Sequence, residues 1–163
     1  MPSLTKYFLG FALATLSAIA AFAQMPNPYG APISLEEAKK VAVPALAEAR
    51  KNNWTVAVAI VDTSGNLVYY EKMDHTQLGS AQFCIAKARS AALFKRPTKA
   101  FQDALASGAV GSRVLRIEGA VPVEGGIPII QDGKIIGAIG ASGGAASQGG
   151  QVAKAGADAA MAK

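Results

Sequence analysis

Trp54-Thr-Val-Ala-Val-Ala-Ile-Val61, Asp62-Thr-Ser-Gly-Asn66 and Leu67-Val-Tyr-Tyr-Glu-Lys-Met73 decide the fold when they are read as one stretch. In the first segment Val56, Val58 and Ile60 fall on one side of a strand and Ala57, Ala59 and Val61 on the other. Both sides are apolar, so the strand is expected at the centre of a sheet that is covered on both faces. The middle segment is turn chemistry, and Leu67 to Met73 reads as a second strand, so the two form a hairpin around a five-residue loop.

Outward from this hairpin the period changes. From Ser80 apolar and small residues recur at helical spacing to about Lys95, with Ser80, Cys84, Ala88 and Ala91/Ala92 as a small-residue stripe suited to close packing on a sheet. Arg96-Pro97-Thr98 breaks that helix, and Thr98 can cap a second one ending near Gly108. Glu118 to Gly126 holds Pro122 and a glycine pair, which allows only an edge strand or a bend. Ile127–Gln131 and Lys134–Ala141 form a second hairpin around Asp132-Gly133, and Ser147 to Lys163 reads as a terminal helix. Upstream, Ser34 and Glu37 make a capping box for a helix to about Lys51, with a kink expected near Pro44. The order α-β-β-α-α-(β)-β-β-α favours an α+β fold with an antiparallel sheet over a parallel doubly wound one.

The first 23 residues read as a signal peptide: Lys6 is the basic start, Tyr7 to Ala21 is the apolar run, and Ala21-Phe-Ala23 is a small-x-small cleavage site. The run is about 15 residues where a spanning helix needs about 20, so no membrane anchor is expected after cleavage, and the chain is expected in the periplasm or secreted. Residues 24–33 read as a Pro/Gly-rich leader, mobile unless a partner holds it, and 34–163 as one domain. Cys84 is the sole cysteine, which excludes an intramolecular disulfide. Without Lys6 the basic residues fall from 16 to 15 against 11 acidic, a formal +4. Lys87, Arg89, Lys95, Arg96 and Lys99 cluster, but no stacking aromatics or nucleic-acid motif accompany them, so they read as a solvated helix face and not as a nucleic-acid surface.

Residues able to carry chemistry are few. His75, the only histidine, could ligate haem iron or a metal, or be a solvated loop residue. Cys84 sits mid-helix on the small-residue stripe, where a cysteine behaves as a small hydrophobe. Ser64 and Ser142 precede glycines outside any nucleophile-elbow pattern, and no complete catalytic constellation is present. Gly137 to Gly144 lacks dinucleotide spacing, so its glycines mean close approach of a packed helix or of a flat ligand. Glu124-Gly-Gly-Ile-Pro128 is either a turn or a bend that presents open amides.

Val61-Asp-Thr-Ser-Gly-Asn-Leu-Val-Tyr69, Met73-Asp74 followed by Leu78-Gly-Ser80, Ala86-Lys-Ala88, Arg96-Pro-Thr98, Val123-Glu-Gly-Gly-Ile-Pro128 and Asp132-Gly-Lys-Ile-Ile-Gly-Ala-Ile-Gly140 with Ser142-Gly-Gly144 together resemble the GlcG/HbpS family, which is related to the C-terminal domain of PduO-type proteins. The resemblance covers about Ser34 to Ala160. It implies a profilin-like or PAS-like five-stranded antiparallel sheet flanked by helices, self-association into dimers and larger rings, and haem or tetrapyrrole binding in some members. Two departures stand out. Relatives often carry acidic residues where this chain has Ala145-Ala-Ser-Gln-Gly-Gly150, and commonly a small or acidic residue where it has His75.

These readings predict an exported haem or tetrapyrrole-binding protein with a pocket where the loop Met73–Gly79 meets Glu124-Gly125-Gly126 and Ser142-Gly143-Gly144. His75 is the candidate axial ligand, with Met73 or Tyr70 as substitutes. The alternative is an enzyme or accessory subunit acting on a small acidic metabolite, whose carboxylate Arg89, Arg96 or Arg113 would pair.

Overall fold

A computed structural model describes residues 26–161, and the signal-peptide reading lies outside them. Helix α1 (Leu35–Lys51) starts at the expected capping box, with Ser34 and Glu37 bonded reciprocally, and runs on as one helix through Pro44. Strands β1 (Ala57–Asp62) and β2 (Leu67–Lys72) form the first hairpin. Its turn is organised by Asp62, whose Oδ1 accepts from the amides of Ser64 and Asn66. Helices α2 (Ser80–Leu93) and α3 (Thr98–Ala106) follow, then a 3-10 turn over Gly111–Arg116. Strands β3 (Gly126–Gln131) and β4 (Lys134–Ser142) make the second hairpin, and α4 (Ala146–Met161) is the last element. Asp132 and Gly133 both take positive φ, as a tight two-residue hairpin turn requires.

The sheet is antiparallel throughout with the order β2-β1-β4-β3, so β1 is central as its two apolar faces require. Val56, Val58 and Ile60 pack against α1 and α4, together with Ile129 and Ile139. The other face is built of small residues: Ala57 and Ala59 meet Cys84, while Val61 and Ala138 meet Ala88, Ala91 and Ala92 of α2. Helices thus cover both faces of the sheet.

Two expectations need correction. The described residues form four strands where the resemblance implies five. The segment from Glu118 to Gly125 bends, because side chains take the amides that a strand would pair: Val121 N donates to Ser90 Oγ at 3.0 Å and Glu124 N to Gln102 Oε1 at 2.8 Å. The leader is also held by its own domain. β1 leaves β4 after the Asp62–Gly137 pair, and Tyr29 takes up Ile135 in a parallel bridge, with Gly30 N donating to the Ile135 carbonyl and Ile135 N to that of Pro28. The Tyr29 hydroxyl caps the end of α2 at Ala92 O (2.8 Å), and Lys95 Nζ lies 4.1 Å from its ring.

Candidate functional site

The register fixes which loops share an end of the sheet. Ala57 pairs with Lys72 and Ser142, and Gly140 with Gly126, so the segments after β2, before β3 and after β4 all emerge together. β2 and β3 are the outer strands, three spacings or about 14 Å apart, so the Met73–Gly79 loop and the Glu124-Gly-Gly loop stand at opposite sides of that end.

A cleft of about 380 Å³ opens on the β3 side. Pro97 and Lys99 from the start of α3, Glu124 to Ile127, and Ser147, Gly150, Gln151 and Lys154 of α4 line it. Its glycine loop is firmly held: Gly126 N donates to Thr98 Oγ1 at 2.9 Å and Ala141 N to the Gly125 carbonyl at 2.8 Å. Gly125 has φ +127, which an L side chain rarely adopts. The cleft's two flanking lysines are each paired along their helices, Lys99 with Asp103 and Lys154 with Asp158.

Behind this loop lies Lys87, only 2% exposed. Its Nζ donates to Ala141 O at 3.2 Å and sits 4.7 Å from the centre of the Phe83 ring. A Cβ on Gly125 would come within 2.9 Å of that nitrogen, and one on Gly149 within 3.6 Å. Burial pushes the Lys87 ammonium down to about 8, against the opposing attraction of Cys84 and Glu124. The sequence reading placed Lys87 on a solvated face. The overlooked signal is its spacing, since Cys84, Lys87, Ala88 and Ala91 recur on one side of a helix. Cys84 is fully buried, its Sγ contacts Ala81 O at 3.2 Å, and burial pushes its thiol up to about 12, which makes it a structural residue at neutral pH.

The other sequence-derived candidates are spread more widely. His75 is exposed with φ 64, and Tyr70, 39% exposed, lies on β2; neither lines the cleft. Met73 lines a separate polar groove with Arg50, Glu71, Lys72 and Asp74. Ser142 is buried, its hydroxyl bonded to Ser80 Oγ at 3.2 Å. A Cβ on Gly143 would fall on the Thr55 carbonyl oxygen, and one on Gly144 on Gln148 Oε1, which accepts from Ala145 N where α4 begins. Glycines also seat the packed helix: a Cβ on Gly126 would meet Lys87 O, and one on Gly140 would meet Cys84 O, both backbone atoms of α2. Arg89 Nε donates to Gly65 O and Arg96 Nε to Phe94 O, while Arg113 is exposed on the 3-10 turn, so the structure brings none of the three arginines to the cleft. Among the described residues no cluster of three His, Cys, Asp or Glu could hold a metal ion, and no helix is long and apolar enough to cross a membrane.

Comparison with known proteins follows the same outline. The family model described as "Haem degrading protein HbpS-like" matches residues 33–158. Protein GlcG of Escherichia coli strain K12 is 38% identical over 95 residues, which are 58% of this chain and 69% of that protein. The crystal structure of a double mutant of Streptomyces reticuli HbpS superposes with a TM-score of 0.71 at 29% identity, covering 79% of this chain and 87% of that one. The crystal structure of a PduOC:heme complex gives 0.70 at 26% identity, covering 78% and 94%.

Proposed function

The chain belongs to the HbpS-like family, and from that membership together with the cleft at Gly125 we propose that it binds haem or a related tetrapyrrole as an exported carrier, sequestrant or sensor component. The cleft is the observation that carries the reading. Its volume of about 380 Å³ falls within the usual range of ligand sites, and Pro97, Ile127 and three glycines give a planar ring an apolar, side-chain-poor wall. These residues fit the porphyrin plate.

Imidazole, thiolate, thioether and phenol, the usual iron ligands, are not among the cleft's lining groups, so within one chain the cleft holds the ring by shape and charge. Haem, when bound, would supply a redox-active iron. His75 stands across the sheet end, so His75→Ala is expected to leave the Soret band and affinity of a bound hemin unchanged. Altered bands would instead assign His75, with Tyr70 and Met73 as its neighbours, to the iron. The reading itself is checked by titrating hemin into the purified protein: a saturable Soret shift supports it and no shift removes it.

Export through the Lys6 to Ala23 segment belongs to the same proposal. Intact mass of the exported form is expected to begin at Gln24, and a product that keeps Met1 would overturn that part. Self-association, which the family resemblance implies, is proposed with it.

A further inference from the structure

We propose that Lys87 selects the ligand of the cleft: its buried ammonium, separated from the cleft by Gly125, recognises a carboxylate seated over that glycine. The inference rests on the reading that the cleft is the ligand site, and adds the chemical class of the group the cleft prefers.

Three observations carry it. An ammonium has three donors, and among the described residues Lys87 has one hydrogen-bond acceptor, Ala141 O, with the Phe83 ring as a second, weaker partner. It makes no ion pair there, although a buried cation without a counter-charge is costly. The wall around it is glycine on two sides, Gly125 and Gly149, and Gly125 is itself cleft surface, so positive charge lies one backbone thickness from the ligand space. The cations facing the cleft directly are already compensated, Lys99 by Asp103 and Lys154 by Asp158, which leaves the Lys87 charge for the ligand. Glu124 acts on Lys87 through space without pairing with it, its Oε1 lying where a Cβ of Gly150 would be.

A charge of this kind weakens with rising pH as Lys87 loses its proton at about 8. The groups facing it are Cys84 of its own helix and Glu124 of the loop; Lys99 of α3 and Lys154 of α4 line the same cleft. Recognition of a carboxylate should therefore fade across that range while recognition of an uncharged ligand does not.

The test compares hemin with hemin dimethyl ester, which keeps the ring and removes both carboxylates, on the full chain and on Lys87→Met. The wild type is expected to bind hemin about tenfold more tightly than the ester near neutral pH, the size of one charge attraction acting across the glycine in a low-dielectric wall, and K87M to bind the two alike. Binding of both porphyrins with no preference in the wild type, or with the preference intact in K87M, overturns the role of Lys87 and leaves the tetrapyrrole reading standing. If K87M does not fold, the wild type alone decides. Loss of the preference between about pH 7 and pH 9.5 supports the inference, and a constant preference overturns it. If neither porphyrin binds, the tetrapyrrole reading falls, and the Lys87 carbon resonances followed by NMR in the presence of succinate settle the inference. A raised titration midpoint supports a small free carboxylate as the ligand, and an unmoved one overturns it.

Discussion

Lys87 and Cys84 lie one helical turn apart on the buried face of α2, and burial drives their pKa values in opposite directions. For Lys87 the folded value is about 8 against 10.5 for the free side chain, so between them the unfolded chain holds the extra proton and stability rises with pH. For Cys84 the folded value is about 12 against 9.0, so in that window the folded chain holds the extra proton and stability falls as pH rises. The two windows overlap from the ordinary thiol value upward, which leaves a net gain confined to the unit just above pH 8, of about 1 kcal/mol. Denaturant unfolding of wild type and Lys87→Met at about pH 7.5, 8.5 and 9.5 isolates the Lys87 part, because Cys84 is present in both: the wild type is expected to gain stability relative to the variant through both intervals, more across the second, and a constant difference would refute it. The charge run Lys87, Arg89, Lys95, Arg96, Lys99 hid the buried lysine from the sequence reading, because a basic cluster and a helical face compete for the same letters. The fixed 84–87–88–91 spacing held the answer.

At the scale of elements, α2 reaches the sheet through glycines. A Cβ on Gly140 would lie on the Cys84 carbonyl oxygen and 2.6 Å from Ala88 N, backbone atoms that move only if the whole helix moves. Gly140→Ala is expected to cost about 1–3 kcal/mol, as overpacking does, and to lower the melting temperature. Gly79→Ala serves as the control, because nothing lies within 4 Å of its Cβ and its φ is −61. That change should leave stability unchanged or raise it by up to about 1 kcal/mol through a stiffer unfolded chain. Equal melting temperatures for the two variants would refute the packing account. Element order and both hairpins were legible because alternation, turn residues and caps are local signals, as Asp132-Gly133 and Ser34–Glu37 show. The bend before Gly126 and the docked leader were not. The partners of their backbone are Ser90, Gln102, Thr98 and Ile135, 22 to 106 residues distant in sequence, and no local pattern announces them.

For the whole molecule, the candidate site was legible only as a sheet end: antiparallel pairing brings the three loops to one side, while the distance across four strands, which separates His75 from the cleft, depends on strand order. The same distinction bears on assembly. The small-residue stripe of Ser80, Cys84 and Ala88 is fully buried within the chain and is not free to meet a second copy; Gly149, Gly156 and Ala157 of the tail helix are buried too, while Ala159 and Met161 on the same helix are exposed. The apolar side chains left outside include Val110 at 72%, Leu115 at 64% and Ile117 at 42% exposed, on and beside the 3-10 turn. A stable dimer buries about 800 Å² on each copy, more than these three supply, so a contact through this turn would also draw in polar neighbours such as Arg113 and Arg116. Light scattering at micromolar concentration is expected to give at least a dimer mass, and Val110→Ser combined with Leu115→Ser to reduce it toward the monomer without lowering the melting temperature, since both positions are exposed. A monomer mass for the parent protein would end the assembly reading. An undiminished dimer in the double variant would move the contact to the open edge of β2, where Leu67 and Tyr70 are the exposed apolar side chains.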